Sequence, residues 1–275
     1  MRADAARRAQ APAKINLTLH VTGQRSDGYH LLDSLVVRAK VADEIEVTEA
    51  DGLTLSVTGP FAGGVPVDER NLVLRAARFL DPVRGAALRL TKNLPHAAGI
   101  GGGSADAAAT LRLLSDLWEV PVPEGVATLG ADVPVCLSLT AQRMRGVGEM
   151  LEPVTGLPPL GMVLVNPGVS VPTPAVFARL DGKENPAMPG TLPQFDSAGA
   201  FADWLATQRN DLEAPACALA PQIARVLDSL RPHVRLARMS GSGGTCFGIC
   251  DDPPDVAARI RAAHPDWWVV ATTLI

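Results

Sequence analysis

Two hydrophobic rhythms run along this chain. Lys14–Val21 alternates apolar and polar residues, and Leu31–Val41 and Asp43–Val57 repeat the alternation, so three strands are predicted, with a turn at Gln24–Gly28. Asn71–Leu80 reads as a short helix and Ala86–Leu90 as a strand. Ala107, Leu111, Leu114 and Trp118 then recur every three to four residues, with no proline between Ser104 and Trp118, which predicts a longer helix. Past Leu160 the order changes. Met162–Val165 is a strand ending at Asn166-Pro-Gly168, and Thr173-Pro174 opens a helix with a capping hydroxyl and an early proline. Lys183–Pro193 is a loop, Ala198–Gln208 and Pro221–Leu230 are helical, and a strand, a glycine loop, a strand, a helix and a strand follow up to Ile275. The pattern predicts a mixed α and β chain of two lobes, 1–157 and 158–275.

Between the strand at 86–90 and the long helix lies Pro95-His-Ala-Ala-Gly99-Ile-Gly-Gly-Gly-Ser104-Ala105. Glycines let a backbone approach a polyanion closely, and the free amides and positive end of a helix favour negative charge, so this is a candidate phosphate cradle. A Walker loop is excluded because Gly103 is followed by Ser104-Ala105 rather than by Lys and a hydroxyl residue. A dinucleotide fingerprint fits poorly, since Ser104 stands where its third glycine belongs. A plain connecting turn is the simpler reading, and Ser104 could serve only as the helix N-cap.

Composition narrows the choice. With 275 residues, 47% of them hydrophobic, the chain can bury a substantial core. A formal charge of −4 without a Lys- or Arg-rich run argues against nucleic acid as the partner. Met1–Arg8 is charged but has no apolar stretch behind it, and no run approaches 18 apolar residues, so a cytoplasmic protein with no membrane partner is expected. Cys136, Cys217, Cys246 and Cys250 lack paired spacing, which argues against disulfides and zinc; Cys246 and Cys250 read as buried residues on one strand face. The five histidines lack ligand spacing, so no metal held by the protein itself is expected.

Three separated blocks carry a resemblance: Pro12-Ala-Lys-Ile-Asn-Leu17, Pro95-x-x-x-Gly99-x-Gly-Gly-Gly-Ser104 and Met239-Ser-Gly-Ser-Gly-Gly-Thr245. In this order they resemble the GHMP small-molecule kinases, named for galactokinase and the homoserine, mevalonate and phosphomevalonate kinases. Thr22-Gly-Gln-Arg-Ser-Asp-Gly-Tyr-His30, Leu129-Gly-Ala-Asp-Val-Pro134 and Asn166-Pro-Gly-Val-Ser-Val-Pro-Thr-Pro174 resemble, more narrowly, those members that act on 4-diphosphocytidyl-2-C-methylerythritol in the non-mevalonate isoprenoid route. The likeness covers nearly the whole chain. The connection between Trp118 and Leu129 is several residues shorter than in bacterial relatives, and a helical turn there is expected to be missing.

The resemblance implies an α+β, two-lobe GHMP kinase fold: a first lobe with the topology of a ribosomal protein domain, an α/β-plait-like second lobe, and the active site in the cleft. It implies ATP as phosphate donor, Mg2+ held mainly by phosphates and water, and a tertiary hydroxyl as acceptor. Asp132 would accept the hydroxyl proton, with Lys14 at the same oxygen. Pro95, His96, Ala97, Ala98, Gly99, Ile100, Gly101, Gly102, Gly103, Ser104 and Ala105 would cradle ATP, with Asn71 and Lys92 lining the adenine pocket or standing as ordinary surface groups. On the substrate side it implies Asn16, Thr173, Gly241, Ser242 and Gly243, with Tyr29 and Phe177 sandwiching cytosine and His30 reading its edge. Asp106 is not assigned to the metal. Gly241–Gly244 approaches substrate or phosphates, or is a tight hairpin turn. A monomer or weak homodimer is expected. The competing readings are another GHMP kinase acting on homoserine or mevalonate, and an RNA-binding module.

Overall fold

The computed structural model describes residues 6–275; residues 1–5, which begin the charged segment weighed above, lie outside them. Two compact units form. The first comprises the described part of Met1–Ala13 with Val41–His96 and Gly101–Ser138, the second Lys14–Lys40, Ala97–Ile100 and Leu139–Ile275. Strands β1 (Arg7–Asn16) and β3 (His30–Glu49), with β2 (His20–Gln24) between them in the chain, cross the points of division.

In the first unit, β4 (Leu53–Thr58), α1 (Leu72–Leu80) and β5 (Ala86–Thr91) make a β-α-β turn of chain. β4 and β5 run parallel, with Leu53 opposite Ala86, which requires a crossover that α1 supplies. β5 pairs antiparallel with the Glu44–Glu49 end of β3. Helix α1 starts at Asn71, whose Oδ1 accepts from Val73 N at 2.9 Å while its Nδ2 donates to Pro66 O at 2.7 Å. One side of α1 buries Val73, Ala76, Ala77 and Leu80. α2 (Gly102–Trp118) is buried over most of its circumference, with Ala105, Ala107, Ala108 and Ala109 giving neighbours room to approach and Leu111, Leu114 and Trp118 filling the space. A single 3-10 turn at Val126–Thr128 occupies the short connection before α3 (Val133–Leu137).

In the second unit the His30 end of β3 pairs with β2 and with β6 (Gln142–Gly146), and β6 pairs with β7 (Met150–Pro153). Then follow β8 (Gly161–Asn166), α4 (Thr173–Phe177), α5 (Ala198–Ala206), α6 (Glu213–Leu219), α7 (Pro221–Leu230), β9 (Leu236–Met239), β10 (Cys246–Ile249), α8 (Pro253–Ala263) and β11 (Trp268–Thr273). Their sheet has the order β11-β8-β10-β9 with each neighbour antiparallel. With α7 before β9 and α8 before β11, this is the β-α-β-β-α-β plait. Its core joins Val163 and Val165 to Ile223, Val226, Val256 and Ile260, and takes in Leu19 and Val21 from the far end of the sequence.

Two strand boundaries differ from expectation. Lys14–Val21 is not one strand, because Leu17 donates to Leu35 O and Leu19 turns to a bridge with Asn210. Leu31–Val41 and Asp43–Val57 do not break at Ala42; β3 continues to Glu49, and the chain turns at Asp51-Gly52, whose dipeptide is itself a turn signal. The four cysteines are free, and burial pushes the Cys250 thiol up to about 11.

Candidate active site

The first unit holds the start of α2 and what lies under it. Gly101, at φ 63°, precedes the helix, and no side chain caps the first turn, so Ser104 is the third helical residue and not the N-cap. The opening amides of the helix have no partner within it and face outward with its positive dipole end. Gly102 sits over a buried cluster: a Cβ there would be 3.5 Å from Lys92 Nζ and 3.6 Å from Asp43 Oδ2. Lys92 is 4% exposed and so is no surface residue; it donates to Asp43 Oδ2 and, at 2.8 Å, to Asp106 Oδ2. Asp43 Oδ1 also accepts from Asn93 N and Leu94 N. Two buried carboxylates share one ammonium, and burial, with the charge of Asp43, holds Asp106 well above the usual carboxylate range, while the two carboxylates raise Lys92. Asp106 Oδ1 is buried with no hydrogen-bond partner among the described residues. Asp132 stands at the N-terminal end of α3 and caps none of its amides. His96 is exposed, edge-on to Phe61.

The second unit gathers the other two blocks. Lys14 is buried, and its N–H donates to Ile100 O at 2.8 Å. Ala97, Gly99 and, just beyond, Gly101 take left-handed φ values of 47°, 72° and 63°. Gly99 has no room for a side chain, since a Cβ would fall 2.5 Å from Gly243 O and 2.6 Å from Ser240 O. Ser240 Oγ donates to Gly99 O, Thr245 N donates to Ala98 O, and Asn16 N donates to Ser240 Oγ. The Gly241–Gly244 turn closes the β9–β10 hairpin, with Ser240 N donating to Thr245 O. It is therefore both a hairpin turn and a close neighbour of the first glycine run. Asn16 is fully buried; its Nδ2 donates to Ser34 Oγ at 2.8 Å, and its Oδ1 has no hydrogen-bond partner among the described residues.

Thr173 is not the cap of α4: Pro172 holds that position, and the Thr173 hydroxyl lies 2.7 Å from Ser242 Oγ instead. Phe177, on the same helix, stacks on His30 with ring centroids 4.6 Å apart. Tyr29 is 65% exposed beside the turn, so Phe177 faces the His30 ring rather than Tyr29. His30 Nε2 is buried without a partner, and burial, followed by the charge of Lys183, holds the imidazole below the ordinary histidine pKa. The sequence reading missed Asp43 and Asn210. Asp43 shares the parity of Val41, Ile45 and Val47, a signal that it points inward; Asn210 has no local signal.

The family models for the GHMP kinases N terminal domain and the GHMP kinases C terminal match residues 71–138 and 192–269. This chain is a GHMP kinase. A 4-diphosphocytidyl-2-C-methyl-D-erythritol kinase of Cereibacter sphaeroides (strain ATCC 17025 / ATH 2.4.3) is 58% identical over 269 residues, covering 95% of this chain and 96% of that protein. A crystal structure of 4-(cytidine 5'-diphospho)-2C-methyl-D-erythritol kinase superposes with a TM-score of 0.78 at 35% identity, over 98% of this chain and 99% of that one. Homoserine kinase from Cytophaga hutchinsonii shares the GHMP kinase fold at a TM-score of 0.66 and 18% identity, over 98% of this chain and 94% of that one. The family phosphorylates small molecules with ATP. Among the described residues, no helix of this kinase is long and apolar enough to cross a membrane.

Proposed function

We propose that this GHMP kinase transfers the γ-phosphoryl group of ATP to the 2-hydroxyl of 4-diphosphocytidyl-2-C-methyl-D-erythritol, giving the 2-phosphate in the non-mevalonate isoprenoid route. The observation that carries this reading over a homoserine or mevalonate acceptor is the His30–Phe177 pair, with its stacked ring and its buried, unpartnered Nε2. Cytosine offers an aromatic face worth about 1–3 kcal/mol in stacking together with a polar edge for the imidazole; homoserine and mevalonate have polar groups but no aromatic face to stack. A lowered pKa keeps that ring neutral near pH 7, with one donor and one acceptor nitrogen. Cytosine would exchange the His30–Phe177 contact for its own, with Tyr29 closing on its other face.

A tertiary alcohol is a crowded nucleophile, so positioning and charge stabilisation supply most of the acceleration. In the proposed step the 2-oxygen bonds to the γ-phosphorus as the bond from phosphorus to the β–γ bridging oxygen breaks. ADP leaves with that electron pair, and the hydroxyl proton passes to Asp132, with Lys14 at the same oxygen. The unpartnered Oδ1 of Asn16 suits a hydroxyl donor on the acceptor, and Thr173, Gly241, Ser242 and Gly243 border it on the substrate side. The run from Pro95 to Ala105 holds the triphosphate, with Asn71 and Lys92 backing the adenine. Because Asp106 is turned to Lys92, Mg2+ would be held by phosphate oxygens, water and Ser104, and when bound it neutralises phosphate charge. The two family domains then correspond to 1–157 and 158–275.

Phosphorus NMR of the protein with Mg-ATP and the cytidine substrate tests this reading. A new phosphomonoester and ADP are expected from the unmodified protein, with a rate at least about 100-fold lower for Asp132→Asn. Phosphorylation of homoserine or mevalonate in place of the cytidine substrate would overturn the choice of acceptor.

A further inference from the structure

The third glycine block is held by a segment that none of the motifs contains. Asn210 lies between α5 and α6 and is 7% exposed. Its Nδ2 donates to Met239 O at 2.8 Å and to Gly241 O at 2.9 Å, while its Oδ1 accepts from Leu212 N at 3.0 Å. Three residues on, Glu213 Oε2 accepts from Met239 N at 2.8 Å. Both backbone groups of Met239 and the carbonyl that opens the glycine turn are thus fixed by Asn210 and Glu213. The segment is itself anchored. Leu19 N donates to Arg209 O, Asp211 N donates to Leu19 O, and Leu19 and Asn210 form a parallel bridge. The buried Arg238, whose pKa burial lowers to about 10, donates to Leu17 O, Leu205 O and Gln208 O. The chain just after Asn16 and the glycine turn are therefore registered against one common element.

We infer that Asn210 is a positioning residue for phosphoryl transfer: it sets the Ser240–Thr245 turn against Asn16 and Gly99 without touching a substrate. The inference rests on the proposed role of Gly241–Gly243 beside the acceptor. A carboxamide is suited to this work because its two N–H groups serve two carbonyls while its oxygen serves an amide. Aspartate has the same shape but sets an acceptor against both carbonyl oxygens, and alanine leaves them unpaired in a buried place. The turn then relaxes, and displacements near 1 Å at a reacting centre cost about 100-fold in rate.

The full-length variants Asn210→Asp and Asn210→Ala are assayed with ATP and the cytidine substrate. With both, kcat is expected to fall roughly 10- to 100-fold while KM for ATP stays within about threefold. Asn210→Ser keeps one donor in place of two and is expected to fall between them and the unmodified protein. A residue that serves stability alone would lower the unfolding temperature and leave kcat per folded molecule unchanged, which would overturn the inference. Amide hydrogen exchange of the Met239–Thr245 segment is measured in the same proteins. Acceleration of about tenfold or more confined to that segment is expected, and unchanged exchange there overturns the inference. The exchange measurement needs no acceptor. An unmodified protein that does not phosphorylate the cytidine substrate would therefore overturn the proposed function, and the exchange result would still decide whether Asn210 holds the turn.

Discussion

Ala97 holds φ at 47°, a left-handed setting that costs an alanine about 1–2 kcal/mol and a glycine almost nothing. It is the one place in the 97–101 alternation where a side chain sits in a glycine's conformation. Ala97→Gly removes that strain and returns about 0.4–1 kcal/mol through the freer unfolded chain, so a net gain of about 0.5–1 kcal/mol is expected in urea unfolding. A loss would show that packing of the methyl outweighs the strain. At this scale the sequence was legible where chemistry is tied to residue type. Lys14 and Asn16, two apart on β1, are both buried, though so are Ala13 and Ile15 beside and between them, and Phe177 comes to the Tyr29–His30 end of the turn by stacking on His30 rather than on Tyr29. It was not legible where a hydroxyl chooses between partners: Ser104 and Thr173 each look like a cap, yet Gly101 and Pro172 hold those places. A hydroxyl's partner depends on what packs nearby, which local pattern does not carry.

Helix α2 is sensitive to pH through the cluster beneath its first turn. Burial raises Asp106 from about 4 to about 8, so between those values the folded protein keeps a proton that the unfolded chain has released. The stability contributed by this group is complete below pH 4, declines as pH rises, and is gone above about 8. Asp106→Asn fixes the neutral form and keeps an acceptor for Lys92. As pH rises from about 5 to about 8 the unmodified protein is expected to lose stability relative to this variant in denaturant titrations; parallel pH profiles would refute the proton-holding role. The glycine run and the helix after it were readable because glycine spacing and a 3.6-residue period are both local. The Asp43–Lys92–Asp106 contact was not, because residues 43 and 106 meet only once β3 and β5 are paired and α2 has folded back over them.

In the whole molecule the compact units do not follow one cut in the chain. The four-stranded sheet and its helices all come from beyond residue 157, yet their core includes Leu19 and Val21. A protein made of residues 158–275 alone is therefore expected to keep helical circular dichroism but bind the dye ANS and unfold without a sharp transition, whereas co-expression with residues 1–157 restores a cooperative one. A sharp transition in the isolated piece would show that Leu19 and Val21 are dispensable. The order of the elements was legible from periodicity, since each helix and strand declares itself locally. The return of Leu19 and Val21 to a core built more than a hundred residues later was not, because no periodic signal records which distant strand a hydrophobic face will meet. The same return shapes what happens on the ribosome. Residues 14–40 are synthesised long before β8 and α7, and Ala39 waits for its bridge to Leu274 until nearly all of the sequence has been translated. β3 itself meets β2, β5 and β6 much earlier, but at about 5–20 residues per second Leu19 and Val21 wait roughly 10–30 seconds for Val163 and Val165, during which these apolar side chains lack their core. A nascent chain of this enzyme is thus a natural client for chaperones that shield exposed strands early in synthesis, and slow translation lengthens its dependence on them.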